Sequence, residues 1–237
     1  MAIVLDDSLD PSLYPLAWIV GAWEGSGAVR LLDEDGSDAD RAITQRLEIA
    51  PDDAAGLTWH MRTWVLDAPA PEPPTAAFAN ADGADADDAD AADQPPIEPT
   101  LFLEERGTWR VSGPLAGQDE AAASAARPGT PESYLSYGIT LTMRRTSGFG
   151  EHEAEHWSGE VRGPRIQLGT VEMPDPRHPA ERVHGARMFG LVGGRLMWLQ
   201  EMGPSPAQLS AFLSVELDRA EPAQDSAQAA ESPQSDE

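Results

Sequence analysis

The sequence predicts an all-β protein built as a single antiparallel up-and-down β-barrel of about ten strands. Its apolar, aromatic and β-branched residues fall in about ten short stretches bounded by Gly, Pro or Asp. This pattern is typical of strands joined by tight turns. Several neighbouring stretches also form predicted hairpins, and closing such a meander into a barrel removes exposed sheet edges. Only residues 13–20 resemble a helical turn.

The predicted strands follow one another with turn residues between them. Gly193 and Gly194 form a two-residue connection that suits a type I′ hairpin, and Gly163 with Pro164 marks another turn. We predict strands at residues 23–32, 42–49, 56–65, 101–112, 134–145, 151–161, 165–171, 183–192, 195–202 and 211–217.

Three polar segments depart from this pattern. Residues 67–98 are rich in Ala, Asp and Pro, residues 114–132 in Ala, Gly and Pro, and residues 220–237 in Ala, Gln, Ser, Pro and acid. Low hydrophobicity with high charge does not offset the ordering entropy, which predicts disorder. We therefore predict an N-terminal arm at 1–10, one barrel domain at 11–219 with the first two segments as disordered insertions, and a disordered acidic tail.

Composition argues against several kinds of partner and site. With 41 acidic and 16 basic residues, the formal net charge of −25 would repel nucleic acids and anionic membranes. The chain contains no Cys, so disulfides, thiolate metal sites and Cys nucleophiles are excluded. The first ten residues lack the pattern of a signal peptide, and no apolar run reaches the roughly 20 residues of a membrane helix. A cytoplasmic protein is expected.

The first predicted strand contains the most informative motif. Gly21, Trp23, Gly25 and Gly27 alternate along it and therefore share one face. Glycines on one face permit a sharp bend or the close approach of a ligand or of backbone. Two interpretations stay open: this strand closes the barrel with no ligand role, or it borders a ligand. No nucleophile elbow or phosphate-binding loop is present, so we predict no catalytic residues.

The histidines do not form a predicted metal site. His152 and His156 would share a metal on a helix, but on a strand they lie roughly 13 Å apart. His60 is expected to be a wall residue of the barrel, and we assign no role to His178 or His184.

The glycine strand and the apolar segment before it resemble the N-terminal signature of the nitrobindin family, G-x-W-x-G-x-G. The resemblance continues in order at residues 62–64, 105–110, 187–198 and 209–217, which are similar to the family's R-T-W, E-x-G-x-W-R, R-x-Y-G-L-V and final-strand segments. It implies a fatty-acid-binding-protein-like barrel of ten strands, related to calycins and lipocalins, with an apolar pocket. In typical members an axial His holds ferric heme b, which binds nitric oxide and isomerises peroxynitrite.

The chain departs from this family at the axial ligand. Placing the family's last strand on residues 209–217 puts Phe212 where the resemblance implies the His, with Leu213, Ser214 and Leu217 fixing the register. A benzyl ring has no electron pair for iron. Strict alternation along this strand places Phe212 on the same face as Ser214, and the resemblance implies that this face points toward the pocket mouth.

We therefore predict a binding module for a hydrophobic small molecule that does not hold heme iron through a His and has no resident cofactor. Two alternatives stay open. One is a heme-dependent peroxynitrite isomerase with an unconventional iron ligand. The other is a barrel whose interior is filled by side chains and binds nothing. The oligomeric state is not predicted.

Overall fold

A computed structural model describes residues 9–33, 35–52, 54–69, 99–147, 150–178 and 180–221. Its strands form one antiparallel sheet in which each strand pairs with its neighbours along the chain, apart from the short β6. The strands are β1 (Gly21–Leu32), β2 (Asp38–Pro51), β3 (Leu57–Pro69), β4 (Thr100–Pro114), β5 (Ser136–Ser147), β6 (Gly150–Glu151), β7 (Glu155–Arg162), β8 (Arg165–Pro174), β9 (Arg182–Val192), β10 (Arg195–Gly203) and β11 (Ser210–Ala220).

Two pairings close the sheet into a barrel. Strand β1 pairs with β11, and β4 pairs with β5, so the ten long strands leave no open edge. The two-residue strand β6 pairs only with the end of β5 among the described residues. The predicted all-β barrel of about ten strands is confirmed.

A 3-10 helix (Pro11–Ile19) covers the end of the barrel at which β1 begins and β11 ends, here called the plugged end. It starts at Pro11 because the Asp10 side chain accepts the Ser12 backbone N–H at 2.8 Å. Its buried side chains join the barrel core; they are Leu13, Leu16, Trp18 and Ile19. None of the helices in the described parts is long and apolar enough to cross a membrane.

The segment 114–132 differs from the predicted disorder. It contains a short helix α1 (Glu120–Ala125), whose first turn is capped by the Asp119 carboxylate at 2.9 Å from the Ala122 N–H. The Gln118 side chain donates to the Leu115 and Ser136 carbonyls at 2.8 Å each, which fastens the segment to β5. Composition does not reveal such specific hydrogen bonds.

Other predicted boundaries also change. The single strand predicted at 151–161 is split into β6 and β7 by residues 152–154. The insertion predicted at 67–98 begins later, since residues 67–69 continue β3, and its remaining residues 70–98 lie outside the described part. Residue 220 belongs to β11, and the rest of the predicted tail from residue 222 also lies outside.

Candidate binding site in the barrel interior

Trp23 of β1 is fully buried at the plugged end. Its indole N–H donates to the Ile19 carbonyl at 2.8 Å, and the Arg219 guanidinium lies 4.1 Å from the centre of its ring. Arg219 also donates to the Trp18 and Val20 carbonyls at 3.0 and 2.5 Å. These contacts fasten the 3-10 helix, β1 and β11 to one another.

The glycines of the β1 motif lie against the backbone of β11. A Cβ atom at Gly25 would overlap the Glu216 carbonyl, and one at Gly27 would overlap the Ser214 carbonyl. Gly21 has a φ of +127°, a conformation that residues with a side chain rarely adopt. At this pairing the glycines have a backbone role, as the barrel-closing interpretation of the motif requires.

Phe212 lies near the start of β11, at the end of the barrel opposite the plug, and is only 3% exposed. The expected strict alternation of β11 is wrong here. The pairing of β10 with β11 shifts register between Gln200 and Glu201, which forms a bulge. As a result Phe212 and Leu213 are both buried, whereas Ser214 is exposed.

A layer of buried charged side chains crosses the barrel between the level of Phe212 and the plugged end. Arg187 donates to Glu105 at 2.6 and 2.9 Å and to the Gln200 side-chain oxygen at 2.7 Å. Arg145 donates twice to Glu105, at 2.8 and 3.0 Å. Its Nη1 also lies 2.9 Å from Glu155 Oε1, an ion pair without hydrogen-bond geometry. All five side chains are at most 1% exposed.

The charges of this layer balance as two arginines and two glutamates. Burial by itself would raise the pKa of Glu105, but the charges of Arg187 and Arg145 outweigh it and lower that pKa to about 2. Burial raises the pKa of Glu155, and the charge of Arg145 offsets only part of that effect. The Gln200 amide nitrogen is buried without a hydrogen-bond partner. The layer is therefore a buried polar floor with two donors outside its hydrogen bonds, the Gln200 amide nitrogen and Arg145 Nη1, the second of which is paired with Glu155 by charge.

Aromatic side chains fill the interior on the plugged side of this layer. Phe189 stacks on Trp198 with ring centres 5.3 Å apart and meets Trp59 edge-on at 5.9 Å. At this level the core is packed with side chains. Trp157 instead borders the layer from its other side, because its ring lies 4.7 Å from the Arg187 guanidinium and its edge lies beside Gly185 and Met173.

The histidines lie apart from one another. His60 faces outward on β3 and bonds Glu104 at 2.7 Å, and His156 is exposed on β7. His152, in the break before β7, is 8% exposed and bonds Ser147 Oγ at 2.8 Å. Within the described parts of the chain, no three His, Asp or Glu side chains are placed to hold a metal ion together.

Sequence reasoning missed the charged layer. A signal was present, because Glu105, Arg145 and Arg187 each occupy an inward position in an otherwise apolar alternating pattern. A charged residue on the apolar face of a strand indicates a buried partner. The sequence does not show which strands meet inside the barrel, so the partners could not be paired.

Comparison with known proteins agrees with this architecture. The crystal structure of Rv2717c from M. tuberculosis superposes with a TM-score of 0.52 at 18% identity, covering 90% of this chain and 99% of that one. A ferric nitrobindin-like protein of Beutenbergia cavernae is 29% identical over 92% of this chain and 99% of its own length. A peroxynitrite isomerase of Kocuria rhizophila is 25% identical over 94% of this chain and 98% of its own.

A family model also spans the barrel. The model of the THAP4-like, heme-binding β-barrel domain matches residues 12–219, which run from the 3-10 helix to the end of β11. The match covers far more than half of the chain and includes the glycine strand, the charged layer and Phe212. This chain belongs to the THAP4-like, nitrobindin-type family of heme-binding β-barrel domains.

Proposed function

We propose that this barrel does not hold heme iron through a His and that it serves as a binding module for a hydrophobic small molecule. The observation that carries the first part is Phe212, which stands where the family resemblance implies the axial ligand. Its side chain is buried and has no electron pair to donate, whereas heme iron is held in proteins by His, Cys, Met or Tyr. The donor set at this position does not fit the cofactor.

Other histidines offer poor substitutes. His60 and His156 face away from the interior, and His60 is bonded to Glu104. His152 is the most buried of the described histidines, but its Nε2 bonds Ser147. A ligand role for His152 would require that hydrogen bond to break and the ring to turn.

Apolar side chains at the Phe212 end support the second part of the proposal. They are all buried and come from six different strands: Val29, Ile43, Leu103, Met173, Met202 and Phe212 itself, with Leu213 beside it. Apolar walls over a polar floor are typical of small-molecule sites in barrels.

The cytoplasmic location stays a prediction.

A hemin titration followed at the Soret band tests the iron-ligand proposal. We expect the parent protein to give weak binding without a His-ligated spectrum. The variant Phe212→His should bind hemin more tightly and give that spectrum, because it restores a donor. Ser214→His is the matched control, because it places a His on the outer face of the same strand. It should leave the hemin affinity and the Soret spectrum the same as in the parent.

The competing function is heme-dependent peroxynitrite isomerisation with another iron ligand, as the names of several relatives suggest. It predicts a sharp one-to-one Soret transition in the parent protein that disappears in His152→Gln or His60→Gln. That result would overturn our proposal. Native mass spectrometry of the purified protein tests the second part: an adduct of a small apolar molecule supports it, and an empty barrel that accepts no apolar probe contradicts it.

A further inference from the structure

A second concave site lies at the plugged end, remote from Phe212. It is a groove of about 910 Å³ between the 3-10 helix and the ends of four strands. Inward residues of these strands form its base: Val111 of β4, Tyr137 of β5, Val161 of β7 and Leu191 of β9. The helix therefore leaves one side of the barrel end uncovered, and the groove reaches the hydrophobic core.

The groove collects the tyrosines of the protein. The chain has only three, and Tyr14, Tyr134 and Tyr137 all line this groove together with Trp18. Prolines and serines complete the wall, and none of the described residues that line it is charged. In a chain with a net charge of −25, an uncharged aromatic concavity of this size is a distinct local environment.

Its walls are held in place before any ligand arrives. The Tyr134 ring lies against the turn at Gly163, where φ is +54° and an added Cβ would come within 2.7 Å of the ring. Arg162 donates to the Tyr134 and Pro131 carbonyls at 3.3 and 3.1 Å. The Trp18 indole N–H is satisfied by the Pro15 carbonyl at 3.1 Å. A preorganised wall reduces the entropy lost on binding.

We propose that this groove binds a neutral, largely aromatic small molecule. Aromatic rings favour stacked or edge-on contact with an aromatic ligand, and tyrosine hydroxyls can bond its few polar atoms. A carboxylate or phosphate would find no cation in the lining and would be repelled by the acidic surface. The groove and the Phe212 end lie at opposite ends of the barrel, so this inference does not rest on the proposed function.

Because every tyrosine lines the groove, ¹⁹F NMR of protein labelled with 3-fluorotyrosine reports on this site alone. We expect all three signals to shift on titration with the neutral fluorophore N-phenyl-1-naphthylamine, whose emission should rise on binding. In unlabelled protein, Tyr14→Ala and Tyr134→Ala should each weaken binding about tenfold, as expected for the loss of one aromatic contact and its buried area.

Leu101→Ala is the matched control, because Leu101 and Tyr14 are both 49% exposed but Leu101 lies on β4 at the other end of the barrel. It should leave binding unchanged. Three fluorine signals that ignore saturating probe, or equal affinity in all variants, would overturn the proposal. Fluorine signals that shift with protein concentration in the absence of probe would assign the groove to a second copy of the chain. Signals that shift when residues 1–8 are removed, but not when probe is added, would assign it to the chain's own N-terminal segment. Either result would also overturn the proposal.

Discussion

Arg187 shows how a single residue can organise a barrel interior. It contacts a carboxylate, an amide oxygen and the faces of two indole rings, those of Trp157 and Trp198. A buried guanidinium is tolerated only when its charge is compensated and its donors are bonded, and Glu105 with Gln200 meets both needs. The charged layer therefore fixes the relative positions of β4, β5, β9 and β10 by specific bonds.

We expect Glu105→Gln to destabilise the fold by roughly 3–5 kcal/mol, because it leaves two buried arginines with one fewer charge partner. Urea unfolding of variant and parent measures the difference. Glu104→Gln is the control on the same strand: Glu104 faces outward, where its contacts with His60 and Arg106 are partly solvated. It should change stability by less than about 1 kcal/mol. Equal effects of the two substitutions would contradict the buried network.

His152 should make stability depend on pH. Burial, followed by the charges of Arg145 and Arg182, lowers its pKa in the folded state. The folded protein therefore favours the neutral imidazole. The contribution of His152 to the free energy of unfolding is complete above its ordinary pKa of about 6.5 and is lost as pH falls below that value. Burial raises the pKa of Glu155, so its contribution to stability changes with pH in the opposite direction. It is complete below the ordinary pKa of about 4.5 and is lost as pH rises above that value.

Comparing the parent with His152→Gln isolates the His152 contribution, since Gln can keep a bond to Ser147 and both proteins contain Glu155. We expect the difference between their melting temperatures to shift in favour of the variant as pH falls from about 7 to 5. Thermal melts followed by circular dichroism measure it. A difference that stays constant over this range would show that His152 is not held neutral.

At the level of elements, alternation in the sequence predicted the strands well and their irregularities poorly. All ten predicted strands overlap observed ones, because inward and outward residues alternate in hydropathy. The bulge at Phe212 was not predictable, since it arises from the pairing of β10 with β11. The break before β7 was also missed: residues 151–161 have strand composition, but His152 turns back to bond the end of β5.

The pairing of β1 with β11 should be sensitive to any side chain at Gly25. Gly25→Ala should destabilise the barrel by about 1–3 kcal/mol, because its Cβ would overlap the Glu216 carbonyl, which backbone pairing holds in place. Gly169 on β8 is the control, since its nearest atom to an added Cβ is 3.9 Å away. Gly169→Ala should change stability by no more than about 0.5 kcal/mol. Equal unfolding midpoints would rule out a close approach at Gly25.

At the scale of the whole molecule, the fold was predictable because several independent features of the sequence indicate a closed barrel. Ten alternating segments, tight turns and a glycine-rich first strand all indicate the same barrel. The contents of the barrel were less predictable. Glu105 meets Arg187 across 82 residues of sequence, and no local pattern pairs them. The groove at the plugged end was missed for the same reason, because its tyrosines come from the N-terminal helix, the segment before β5 and β5 itself.

The segment between β3 and β4 allows the barrel to be tested as one folding unit. Val65 pairs with Thr100, so the two strand ends lie side by side and a short connection can join them. Replacing residues 70–98 with a short Gly/Ser linker should stabilise the fold by about 1 kcal/mol through a smaller loop-closure entropy. It also removes eight acidic residues and no basic ones, which changes the net charge from −25 to −17.

The charge change gives this prediction a second measurement. Weaker self-repulsion should make the shortened protein's melting temperature less dependent on salt than that of the parent, when both are compared at low and at physiological ionic strength. A control linker of the same length with eight Asp should restore the salt dependence and keep the gain from loop closure. If the shortened protein instead lost several kcal/mol in both salts, residues 70–98 would contribute packing to the barrel, and the prediction that they form a dispensable insertion would be wrong.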